Sequence, residues 1–185
     1  VVIIAIAVAT TMLLAAPSPA AAANDDPVVE SIAFDIDGFQ DLLLVEATDR
    51  LFVSGGANDS VLVVTDLEGT EVARKTGLSG VRQMAYDPVA GEVWVALADG
   101  PSVAAYDATT GASKGSIALP GMCPSAVAIS GARLAVSSGC DDQDDQLAVI
   151  NLGDDSVDVF PGFGGVLELA PSPPPPVNRI VMLTK

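Results

Sequence analysis

Residues 83–119 read QMAYDPVAGEVWVALADGPSVAAYDATTGASKGSIAL. Four short runs rich in β-branched, aromatic and small apolar residues, at Gln83–Tyr86, Glu92–Ala96, Ser102–Tyr106 and Ser113–Leu119, are separated by DPVAG, LADGP and DATTG. The runs are too short for helices, and the separators carry the Asp, Pro and Gly that tight turns require. This stretch predicts four antiparallel strands joined by short turns.

The same pattern recurs on both sides. RLFVSGG at 50–56, EVWVALA at 92–98 and RLAVSSG at 133–139 superpose, so Phe52, Trp94 and Ala135 are equivalent at intervals of 42 and 41 residues. SVLVVTDLEG, SVAAYDATTG and QLAVINLGDD move in step, placing Asp66, Asp107 and Asn151 at equivalent turns. A four-strand unit repeated about every forty residues is the length of one propeller blade. The chain is therefore expected to be all-β, a β-propeller of four-stranded blades at about 41–80, 81–121 and 122–165, with an incomplete fourth at 166–185. PSPPPP at 171–176 reads as an enlarged first-hairpin loop of that fourth unit in preference to a linker. Phe52 and Trp94, at matching strand positions, are expected in the core between blades.

VWVALADGPSVAAYDATTGASKGSIALPG at 93–121 resembles the repeat of the YVTN family of bacterial β-propellers: an aromatic-Val strand, a polar loop, a Ser-Val strand ending in Asp, then a Thr-Gly turn. LFVSGGANDSVLVVTDLEGTEV matches the same pattern, and LAVSSGCDDQDDQLAVINLGDDSV matches it more loosely, with Asn151 for Asp and no Thr-Gly. The resemblance covers about Asp41 to Lys185 and implies a ring of six to eight blades, of which this sequence holds part. It also implies an extracellular surface protein, while related propellers serve as lactonases or quinoprotein dehydrogenases.

The first 23 residues, VVIIAIAVATTMLLAAPSPAAAA, form an uncharged apolar run followed by Pro, Ser and Ala. They read as a signal peptide whose start is truncated, cleaved after the alanine run; the alternative is an uncleaved anchor. Residues 24–40 are a lead-in, in which SIAFDI is a candidate strand for closing the ring. Secretion or display at the cell surface follows, with no membrane span after leader cleavage.

The chain has 24 acidic and 8 basic residues, no His and a formal charge of −16. An acidic surface without a basic cluster argues against nucleic acid and anionic lipid. Without His, a Ser/His/Asp or Cys/His catalytic set cannot be assembled from these residues.

The two cysteines flank a predicted hairpin, CPSAVAISGARLAVSSGC at 123–140. If Gly131-Ala132 is a type II′ turn, paired residues have numbers that sum to 263, and Cys123 and Cys140 face each other. Two thiolates alone cannot complete a metal site, and no CxxC redox motif is present. In an oxidising compartment a structural disulfide is therefore expected, with two free thiols as the alternative.

FDIDGF at 34–39 is similar to a DxDG phosphatase nucleophile motif, but Phe39 stands where that motif has Thr, and a β-repeat follows. Asp35 and Asp37 are read as flanking a strand and turn. GCDDQDDQ at 139–146 fails as an EF-hand loop, because Gln146 and Leu152 occupy the positions that need Gly and Glu. Asn58-Asp59-Ser60 matches a glycosylation sequon.

In a blade the second-to-third loop lies on the same face as the connections between blades. Asp59, Asp99, Asp141, Asp142, Asp144 and Asp145 are therefore expected on one rim. That rim is a candidate site for Ca²⁺ or a cationic partner surface, with ordinary solvated loops as the alternative. The functional expectation is a non-catalytic binding scaffold for a protein or cell-surface ligand, requiring no cofactor. The alternative is a propeller enzyme of lactonase or quinoprotein-dehydrogenase type with its catalytic residues in further blades.

Overall fold

The computed structural model describes residues 33–55, 60–139 and 146–162, together with the backbone of strands at 165–169 and 180–184. All of these lie in one compact unit, Ile32–Lys185. Among the described residues no helix is long and apolar enough to cross a membrane.

The strands come in successive meanders. The first sheet is β1 (Phe39–Val45), β2 (Arg50–Gly55), β3 (Leu62–Thr65) and β4 (Glu71–Lys75), hydrogen-bonded in that order. β5 (Val81–Asp87), β6 (Glu92–Leu97), β7 (Ser102–Asp107) and β8 (Ser113–Ala118) form the second. The third comprises β9 (Pro124–Ser130), β10 (Arg133–Ser138), β11 (Gln146–Asn151) and β12 (Ser156–Pro161). β13 (Gly165–Leu169) and β14 (Ile180–Thr184) pair antiparallel, so the proline-rich stretch joins the two strands of a hairpin. All ladders are antiparallel, and the second sheet's four strands fall within two residues of their expected bounds.

The candidate ring-closing strand lies in the lead-in. Residues 33–36 of SIAFDI have no regular structure, because Ile36 N donates to Phe34 O at 3.0 Å and Gly38 turns the chain at φ +89° before β1 begins. This lead-in is held by Arg74, whose Nη1 donates to the Asp35 carbonyl at 2.9 Å. Residues 31 and 32 lie outside the described residues.

Successive sheets meet through their first strands, β1 against β5 and β5 against β9, while β4, β8 and β12 form the far edges. Apolar residues fill the seams. Phe52, Leu62 and Val64 of the first sheet pack with Val81, Met84, Val93 and Val95 of the second. Trp94, Ala96 and Val103 pack with Val127, Ile129, Leu134 and Val136 of the third. The repeat explains this: alternate residues of each strand face the next sheet, so Phe52 and Trp94 occupy the same place in successive seams. Ala135, the third equivalent, joins Ala128 and Leu147 in a seam of smaller residues, where β13 lies against β9 and β10.

The recurring Asp or Asn after each third strand caps its turn. Asp66 accepts from Thr70 N, Asp107 Oδ1 from Thr109 N, Thr110 N and the Thr110 hydroxyl, and Asn151 Oδ1 from Gly153 N. Gly111 closes the middle turn at φ +67°, and a Cβ there would stand 2.9 Å from Val64 Cγ2 and 3.0 Å from Ala73 Cβ of the preceding sheet. Both the conformation and the close approach call for glycine.

Candidate functional site at the strand-entry rim

Antiparallel order brings the second-to-third loops to the same end as the connections between sheets. Leu78 N donates to Ser60 O at 3.0 Å, Ala98 N to Gly80 O at 2.8 Å, Asp99 N to Ser79 O at 3.0 Å and Leu119 N to Pro101 O at 2.7 Å. The opposite end is bound separately: Thr48 Oγ1 donates to Ala108 O at 2.9 Å and Arg50 Nε to Thr109 O at 3.0 Å.

Asp99 is exposed at this rim. Its carboxylate lies over Gly80, which takes φ +68° and where a Cβ would stand 3.0 Å from Asp99 N, so the backbone before β5 favours glycine. Asp59, Asp141, Asp142, Asp144, Asp145 and Cys140 lie outside the described residues, as does Asn58 of the sequon. Among the described residues no group of three or more His, Cys, Asp or Glu stands close enough to hold a metal ion.

The cysteine hairpin has the expected turn but not the expected register throughout. Gly131 takes φ +60°, and the pairs Ser130/Arg133 through Ala126/Ser137 all sum to 263. Ser125 is then an extra residue, and beyond it Ser138 pairs with Pro124 while Gly139 N donates to Cys123 O at 3.0 Å. Cys123 thus lies opposite Gly139, and the bulge moves the backbone register by one; the expected partner, Cys140, lies outside the described residues. Cys123 N is held by Ser138 Oγ at 3.0 Å.

That bulge is itself a repeated feature which the sequence reading missed. Gln40 is the extra residue between the Phe39/Gly55 and Asp41/Ser54 pairs, and β5 is irregular between Val81 and Met84. By register Gln40, Arg82 and Ser125 are equivalent, each where a first strand enters from the rim. The residues beside them tie the sheets together. Asp41 Oδ2 accepts from Met84 N at 2.9 Å, and Gln83 Oε1 accepts from Val127 N at 3.2 Å. Ser54 Oγ donates to Arg82 O at 3.1 Å. A first strand is an edge strand, so its outward N–H groups need partners from elsewhere, and these side chains supply them. A 42-residue interval links Asp41 to Gln83 as it links Phe52 to Trp94, but Asp and Gln share no hydropathy signal that marks them as equivalent.

No family model matches the chain, and no curated protein matches it. Solved structures do. Over 69% of this chain, at 14% identity and a TM-score of 0.54, it superposes on the β-propeller domain of Cps50 (Swd1) from Myceliophteria thermophila. The fold is a β-propeller. Hydrazine synthase of Kuenenia stuttgartiensis aligns over 71% of the chain at 18% identity and a TM-score of 0.58, and the computationally designed Ika4 protein over 69% at 16% and 0.56. The chain spans 40% of the Cps50 chain and 37% of the hydrazine synthase chain, against 74% of Ika4. At these identities the likeness is one of fold alone. Within the propeller fold, β1, β5 and β9 are the innermost strands of the blades, and the bulges at Gln40, Arg82 and Ser125 lie at the ends where these strands enter.

Proposed function

We propose that this is a blade segment of a secreted or cell-surface β-propeller of the YVTN type, acting as a non-catalytic binding scaffold through its strand-entry rim. The observation that carries the reading is the division of labour between the two ends. At one end the recurring turn acids Asp66 and Asp107 are spent on capping their own backbones. At the other, Asp99 is exposed and lies on the loop equivalent to those that carry Asp59 and the run Asp141, Asp142, Asp144 and Asp145. Carboxylates gathered there attract Ca²⁺ or a cationic partner surface, and the attraction falls as salt rises.

Export also permits a Cys123–Cys140 disulfide at the base of the longest of these loops. Support for it comes from the hairpin turn at Gly131-Ala132, which returns the chain so that residue 139 lies against Cys123. A bridge closing so short a loop contributes about 3 kcal/mol in the chain-entropy model.

A Lys-rich peptide titrated against the exported protein tests the scaffold reading. Binding that weakens with salt and is lost when Asp141, Asp142, Asp144 and Asp145 are all replaced by Asn supports it. Turnover of a lactone by the same preparation, without peptide binding, supports the enzyme in its place.

A further inference from the structure

Every polar side chain at the bulge level of the first two blades is committed to a seam except two. Asp41 holds Met84 N, Gln83 holds Val127 N, and the Arg82 carbonyl takes the Ser54 hydroxyl. Arg82 is half-buried, and its Nε is shut from solvent with no hydrogen-bond partner among the described residues. No carboxylate pairs with it among the described residues, although the chain carries 24 acidic residues. Gln40, its counterpart on the neighbouring innermost strand, is exposed.

A guanidinium donor left unpaired out of water is costly, and burial of the whole group next to an acid would have been the simple remedy. We propose that Arg82 is a binding residue for a compact oxyanion, a carboxylate or a phosphate, taken at the end where the innermost strands enter, with the Gln40 amide as a second donor. Guanidinium geometry suits this ligand class, since adjacent N–H groups meet two oxygens of one anion. Among the described residues the Nε donor has no acceptor; an arriving oxyanion draws the guanidinium outward and supplies one. The overall negative charge opposes anions at long range, so recognition here depends on short-range, two-pronged contact, and moderate salt screens the opposition.

This site is independent of the acidic rim proposed above, because it uses the innermost strands and selects the opposite charge. Calorimetric titration of the full chain with succinate and, separately, with inorganic phosphate, at a fixed ionic strength of about 0.15 M, tests it. The wild type is expected to bind one or both probes, and which one binds distinguishes carboxylate from phosphate. Arg82→Gln is expected to weaken binding by about ten-fold or more, and Gln40→Ala by several-fold. Arg133→Gln, at an exposed position on β10, is expected to leave it unchanged. Arg82→Lys keeps the charge without the fork and serves if Arg82→Gln does not fold; it too is expected to bind about ten-fold more weakly. Absence of binding of both probes to the wild type, or wild-type affinity in the Arg82 variants, overturns the proposal.

Discussion

Asp41 on the innermost strand of the first blade accepts the Met84 N–H of the second blade at 2.9 Å, and Gln83 repeats the contact one blade later with Val127. The bond satisfies an edge-strand donor that no ladder reaches. Asp41→Ala is expected to lower unfolding stability by about 1–3 kcal/mol, because it leaves that donor without its acceptor. Asp41→Asn keeps an oxygen in place, as Gln83 does naturally, and is expected to cost less than half as much. Urea denaturation of the two variants checks the ordering, and equal losses would contradict the seam role.

Gly111 lies in a turn whose backbone and surroundings both exclude a side chain. Gly91 has the same φ, +67°, with open space around it. Gly91→Ala is therefore expected to cost only the left-handed backbone penalty, about 1–2 kcal/mol, and Gly111→Ala distinctly more. Thermal unfolding of the pair isolates the crowding against Val64 and Ala73.

Hydrogen bonds from the Thr110 hydroxyl and backbone, aided by Thr109 and Lys114, hold the Asp107 carboxyl below the ordinary aspartate value of 3.8. Asp154 is lowered in the same way by the Ser156 hydroxyl and backbone. A depressed folded pKa stabilises the fold above the ordinary value, and that contribution is lost as pH falls through the folded pKa. The stability difference between wild type and Asp107→Ala is thus expected to be constant near neutrality and to shrink below about pH 4. A difference unchanged down to pH 2 would contradict this.

The strand pattern and the blade repeat were legible because alternation and turn chemistry repeat with the chain. Phe52 and Trp94 announced their place in the seams by their matching positions. The bulges at Gln40, Arg82 and Ser125 were not legible, since an extra residue in one strand leaves the hydrophobic pattern of its neighbours intact. For that reason the cysteine register inferred from the turn alone drifted by one residue at Ser125. SIAFDI alternates like a strand, yet a strand needs a partner ladder; residues 33–36 have none among the described residues, and the Arg74 guanidinium holds the Asp35 carbonyl.

Exported, non-reduced protein is expected to resist alkylation by iodoacetamide in denaturant, with both cysteines alkylated only after reduction. Two alkylated thiols without reductant would rule out the proposed Cys123–Cys140 bridge. Removing it by the double Ser variant is expected to cost about 3 kcal/mol.

The acidic rim is tested most directly by calorimetric titration with Ca²⁺ of the wild type beside a variant carrying Asn at 141, 142, 144 and 145. The account predicts heat of binding for the wild type that diminishes as salt is raised and is lost in the variant. Equal heats in the two proteins, or none in either, would contradict it and leave these loops as ordinary solvated surface.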